Sequence, residues 1–229
     1  MKKRFLTVLL SILAVSVFTS GIYAQGYTIR DKNDVNEFDR VIMNPYNKAL
    51  DYTATGFEVV SLAMPLVCLM APAEDYLEIG IQYAETMAVA YGLRCLFKGT
   101  VERARPYMYF DGAPEKDIAD GDWNRSFMSG HSIMTFASAG FTTFMFLRYC
   151  PDSEWTVPVI VTSWGIAVTT GILRVASGNH FVTDVLAGSA TGVAVGFLVP
   201  LLNTLWFEPA LKNTPVEVLP NGVVFKLKW

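Results

Sequence analysis

Histidine is scarce in this chain, with only two in 229 residues. Cysteine is nearly as rare: Cys68, Cys95 and Cys150 lie in or beside apolar runs. An odd number at scattered spacings supports neither a disulfide framework nor a zinc site, so the three read as buried, inert thiols. Charged residues make up 17% of the chain and the formal net charge is −3, which leaves no basic surplus for a nucleic-acid partner. There is no internal repeat and no low-complexity segment. What fills the chain instead is apolar: 52% hydrophobic residues and a mean hydropathy of +0.33. That value exceeds an ordinary soluble domain's and is modest for a purely membrane one. The length suggests a single domain.

The first residues, MKKRFLTVLLSILAVSVFTSGIYAQ, place three positive charges before an apolar run from Phe5 to Phe18, followed by small and polar residues. This pattern predicts a secretory signal peptide over 1–24, cut after Ala24, with an uncleaved anchor helix as the alternative. Residues 25–51 are polar and mixed in charge, and read as an exported surface segment with one short helix. Five apolar stretches follow, over 52–71, 77–97, 131–147, 156–173 and 185–207. The first holds one charge, Glu58; the second holds Glu78, Glu85 and Arg94; the last runs 23 positions without any. A spanning helix needs about 20 apolar residues. The expectation is an all-α domain over 52–207, a membrane-spanning bundle of about five helices, with close packing through the small residues of LAGSATGVAVG. A compact soluble all-α protein is the alternative. The tail, 208–229, alternates around Asn221-Gly222 and suggests a β-hairpin.

With the mature N-terminus outside, five spans put loops 98–130 and 174–180 on the outer side and 72–76 and 150–155 inside. The inner loops read PAEDY and CPDSEW, against the positive-inside tendency. The polar residues gather on the outer side. Lys98 is followed after six residues by Arg105-Pro106; Ser129-Gly130-His131 opens the third apolar stretch; Arg174, five residues, His180, three residues and Asp184 join the fourth to the fifth. Three cations, both histidines and a carboxylate thus meet at helix ends.

Such a set suits phosphoryl transfer, whose transition state spreads negative charge over the equatorial oxygens. Arginine offers a fork of donors and lysine a point charge. The free N–H groups of Ser129 and Gly130 at a helix start favour an anion. On a helix, His180 and Asp184 would be neighbours. Asp184 could then take the Nδ1 proton of His180 and leave Nε2 as a nucleophile, with His131 free to protonate the leaving oxygen.

In order and internal spacing, the three segments resemble the signatures of the type 2 phosphatidic acid phosphatase family, which includes the vanadium haloperoxidases. Two positions depart from the usual pattern: Met128 replaces a common proline before Ser-Gly-His, and Leu173 a common serine before the arginine. The resemblance implies a helical phosphatase that needs no metal or other cofactor. His180 would form a phosphohistidine, Asp184 would orient it, and His131 would serve as acid and then base. Lys98, Arg105, Ser129, Gly130 and Arg174 would hold the phosphate. The expected substrate is a lipid phosphate or pyrophosphate, at a membrane site in a bacterial cell envelope facing the periplasm or exterior. A soluble periplasmic acid phosphatase is the alternative, with a haloperoxidase or an inactive binding homologue behind it. The loop from Tyr107 to Met128, with Tyr109, Phe110 and Trp123, reads equally as a lid or as a surface loop with buried aromatics.

Overall fold

The computed structural model describes residues 29–206, 216–219 and 222–225. The expected signal peptide, 1–24, lies outside the described residues, and the 208–229 tail is described only at its two strands. Helices appear where the apolar stretches predict them. After a short α1 (Glu37–Arg40) come α2 (Lys48–Ala63), α3 (Tyr76–Thr100), the short α4 (Glu115–Ala119), α5 (Gly130–Tyr149), α6 (Thr156–Ala176) and α7 (Val182–Trp206). A 3-10 segment, Met64–Met70, extends α2, with Pro65 in its first turn. The strands Val216–Leu219 (β1) and Gly222–Phe225 (β2) pair antiparallel, Leu219 opposite Gly222.

Helix starts follow side-chain chemistry. Asn47 Oδ1 accepts from Leu50 N, and Ser129 Oγ from Ser132 N, so each occupies an orphan donor of the helix it precedes. At α7 the cap reaches backwards: Asp184 Oδ2 accepts from Phe181 N, the reciprocal half of a capping box. Helix α6 ends at Gly178, whose φ of 72° is the left-handed conformation that glycine adopts without a Cβ clash. A Cβ there would also lie 2.5 Å from the Asn44 and Pro45 carbonyls.

Helix α5 is the axis of the bundle. Its buried face includes Ile133, Ala137, Phe141 and Met145. Helix α7 lies on it through glycines four residues apart: a Cβ on Gly188, Gly192 or Gly196 would meet the carbonyl of Ser129, Ile133 or Ala137 at 2.7, 2.5 and 2.5 Å. This backbone-to-backbone approach is the close packing expected of the small-residue run. Among the described residues, three helices, Lys48–Met70, Thr156–Ala176 and Val182–Leu205, are long and apolar enough to cross a membrane. Large apolar side chains such as Val59, Leu66, Val161, Ile172, Leu186 and Leu198 stand exposed along them, as lipid-facing surfaces require.

The segment before α2 is not only surface. Val35 is buried, and the Asp39 carboxylate in α1 is 1% exposed. It packs beneath the polar end of the bundle, because Asp39 has partners there that water would otherwise have to supply.

Candidate active site

The C-terminal ends of α3 and α6 and the N-terminal ends of α5 and α7 meet at one end of the bundle. Backbone bonds hold this junction. Ser129 N donates to Asp184 O (3.1 Å), tying the start of α5 to that of α7, and Tyr107 N donates to Gly178 O (3.1 Å). The chain after α3 runs extended and pairs with 123–126: Arg103 N donates to Asn124 O, Arg105 N to Trp123 O, and Ser126 N to Arg103 O. Tyr107 and Tyr109 are buried, and Phe110 and Trp123 pack against their cluster with Val35 and Phe181. The loop aromatics are therefore a small core under the site.

All eight residues picked out from the sequence lie at this junction. Arg105 donates to Asn179 O and Oδ1, both at 3.2 Å, beside His180. Arg174 is buried at the end of α6, and His180 N donates to its carbonyl (3.2 Å). Arg105, Arg174 and Lys98 all act electrostatically on His180, and Arg174, Lys98 and His180 act on His131. Each cation has a carboxylate neighbour. Asp122 pairs with Lys98 (3.6 Å) and with Arg105, while Asp51 pairs with Arg174 and accepts from Tyr46 Oη. Burial would raise Asp122, but Arg105 and Lys98 outweigh it and hold its pKa below the usual carboxylate value.

His180 is 1% exposed. Burial is the main cause that pushes its pKa well below 6.5, and the charges of Arg105, Arg174 and Lys98 push the same way. The imidazole is therefore neutral near pH 7. Asp184 stands beside the ring as expected, but the expected hydrogen bond is not made. His180 Nδ1 lies 3.7 Å from Asp184 Oδ2, too far for a hydrogen bond. The reason is local: α7 begins at Val182, so His180 precedes the helix and helical spacing does not bring the two to hydrogen-bond distance. Asp184 is instead filled by other donors: Arg103 Nη1, Ser126 Oγ (2.6 Å) and Phe181 N (3.0 Å). A second correction concerns Ser129. Its N–H is spent on the Asp184 carbonyl and its Oγ accepts from Ser132, so Gly130 rather than Ser129 begins the amides open to an anion. Met128, at the departure from the family pattern, is buried beside Ala90 and Ile133.

Several residues here are not among the eight that the sequence marks. Arg103 bridges Asp184 and Asp39, and Thr183 donates to Asp39 through both N (3.0 Å) and Oγ1 (2.6 Å). Burial would raise the Asp39 pKa, but the bonds from Thr183, Asn36 and Arg103 outweigh it and lower it. Arg103 had a legible signal, since it lies two residues before Arg105 and alternate residues of an extended chain share a face. Asp39 had none, being 144 residues from Thr183. His131 Nε2 meets Glu58 Oε2 at 3.2 Å and Thr55 Oγ1 at 3.3 Å; Glu58 was visible as the lone charge of its apolar run. Among the described residues, four buried side-chain polar atoms have no hydrogen-bond partner, and two belong to this site: Arg174 Nε and His180 Nδ1.

A family model, the PAP2 superfamily, matches residues 79–207. Phosphatidylglycerophosphatase B of Bacillus subtilis (strain 168) is 35% identical over 198 residues, covering 82% of this chain and 88% of that enzyme. Lipid A 1-phosphatase of Porphyromonas gingivalis is 36% identical over 108 residues, 47% of this chain; the match spans only 21% of that longer protein. In fold, the chain resembles the crystal structure of a transmembrane PAP2-type phosphatidylglycerolphosphate phosphatase from Bacillus subtilis. The TM-score is 0.54 at 21% identity, over 89% of this chain and 96% of the other. With its three signature segments brought to one end of a bundle that has membrane-length helices, the chain belongs to the PAP2 superfamily, as a phosphatase.

Proposed function

We propose that this protein hydrolyses lipid phosphate esters at the outer face of a membrane, through a phosphohistidine and without a metal ion. The observation that carries the reading is the unpartnered Arg174 Nε. A guanidinium N–H buried without an acceptor costs free energy, and a phosphate oxygen would supply the acceptor. The phosphoryl group sits among Arg174, Arg105 and Lys98, with the Gly130 amide and the start of α5 beneath it. Ser129 holds that start in place through its cap.

In the first step the neutral His180 Nε2 forms a bond to phosphorus as the ester P–O bond breaks. His131 gives the leaving oxygen a proton. In the second, His131 takes a proton from water, the water oxygen bonds to phosphorus, and the N–P bond breaks to release inorganic phosphate. Asp184 orients the loop that carries His180 by accepting from Phe181 N. Fixed cations stabilise the equatorial charge that a metal ion otherwise would. The relatives favour lipid substrates, and the one matched over most of its length is a phosphatidylglycerophosphatase. That lipid therefore heads a test panel with phosphatidate, polyprenyl pyrophosphate and lipid A phosphate.

The test uses purified enzyme in detergent. Phosphate release is expected to survive EDTA and to be blocked by vanadate. His180→Ala is expected to abolish both turnover and the acid-labile, base-stable phosphoenzyme seen on rapid quench. Activity lost in EDTA and restored by a divalent ion, or a phosphoenzyme that persists in His180→Ala, would refute the mechanism.

A further inference from the structure

We propose that Glu58 is the positioning residue of His131, holding its imidazole through Nε2 so that the proton for the leaving group is delivered from Nδ1. Glu58 lies in the Lys48–Met70 helix, which is apolar enough to cross a membrane. A carboxylate in such a helix is costly, and it is kept where it faces the protein interior and has a partner. Here the partner is His131, with Glu58 Oε2 3.2 Å from Nε2 and Thr55 Oγ1, one turn earlier, 3.3 Å from the same nitrogen. Both ring contacts come from α2, a helix that contributes none of the eight residues picked out from the sequence.

The geometry has a chemical consequence. An imidazole has two nitrogens, and the one held by a carboxylate fixes ring orientation and tautomer. With Nε2 occupied by Glu58, Nδ1 is the nitrogen left for the substrate. The adjacent carboxylate favours the imidazolium that must exist before the proton leaves, and again after water has given one up. It opposes the burial of the ring and the charges of Arg174, Arg94 and Lys98 that act on it. The Arg94 side chain lies against Gly130, since a Cβ there would meet its Nε at 2.6 Å. Both histidines of the chain thus have a carboxylate near one ring nitrogen, Asp184 beside His180 and Glu58 beside His131.

The inference rests on His131 being the general acid, so the experiment tests that role separately. Wild type, Glu58→Gln, His131→Ala and the double variant are compared on a lipid phosphate, whose alkoxide needs a proton to leave, and on nitrophenyl phosphate, whose phenolate does not. His131→Ala is expected to slow phosphoenzyme formation from the lipid by ~10²–10⁴-fold, the usual worth of a general acid, and to spare formation from nitrophenyl phosphate. Glu58→Gln is expected to show the same selectivity with a smaller loss, roughly 10–10²-fold. The double variant should be no slower than His131→Ala. Glu58→Asp, which keeps the charge but draws it back, should fall between Gln and wild type, and reports independently if Glu58→Gln folds poorly. A Glu58→Gln enzyme slowed equally on both substrates, or on neither, would overturn the inference while leaving the acid role intact. Were His131→Ala itself to show no selectivity, the acid role would fall and the inference with it.

Discussion

As the proposed nucleophile, His180 has to be neutral, and its surroundings keep it so. Burial comes first among the causes, and the charges of Arg105, Arg174 and Lys98 add to it, so the ring protonates only well below pH 6.5. In the proposed mechanism the same residues bind the substrate and keep the nucleophile free of a proton. The acid limb of kcat/KM, where it reflects His180, is expected below pH 6.5, and a pH–rate profile checks it. A limb at or above that value would mean that the imidazole is not held neutral. Stability carries the same sign. The unfolded chain protonates this histidine near 6.5 and the folded one does not, so the unfolded state binds more protons and stability falls as pH drops below 6.5. Asp39 carries the same sign at lower pH. Its lowered pKa contributes stability above 3.8, lost as pH falls through the folded value. Between them, Asp39 and Asp184 share one arginine, which fastens the first residues described to the histidine loop.

The helices place these side chains because α5 and α7 touch backbone to backbone. Gly188, Gly192 and Gly196 let α7 approach so closely that its first turn reaches the first turn of α5, and Ser129 N can bond Asp184 O. Gly192→Ala would put a methyl 2.5 Å from the Ile133 carbonyl, a backbone atom that cannot turn aside. Overpacking of this kind costs about 1–3 kcal/mol. The variant is expected to melt lower in detergent and to lose activity as α7 is pushed off. Gly165→Ala in α6, where nothing lies within 4 Å of the added carbon, is the control and should melt like wild type or higher. Equal melting temperatures for the two would mean that the glycine stripe does not set the helix distance.

At the scale of the whole molecule, the site lies at one end of a bundle whose long helices expose apolar side chains. A phosphate on a lipid head group reaches such a site without leaving its membrane. The proposed orientation puts 98–130 outside and 150–155 inside. Alkaline phosphatase fused after Asp120 is expected to be active, and fused after Asp152 inactive. Two active fusions would point to an exported soluble enzyme and remove the lipid-facing reading.

The helices, their ends and the polar residues that gather at the mouth of the bundle were legible in the sequence because each is a local signal. Uncharged apolar runs of about 20 residues are too long for buried strands and read as helices. Lys98, Arg105, Ser129-Gly130-His131, Arg174, His180 and Asp184 stand out as polar groups at the ends of those runs. The partners of these groups were not legible. Local spacing made Asp184 the hydrogen-bond partner of His180, but the helix begins two residues later than that needs, and Arg103, Ser126 and Phe181 N fill the carboxylate instead. Asp39 and Glu58 carry no mark of the groups they meet, since those contacts arise only when elements far apart in the chain pack together. Spacing along one chain determined which residues gather at the mouth of the bundle. Only tertiary packing, set by how closely glycine lets two helices approach, decided which of them touch.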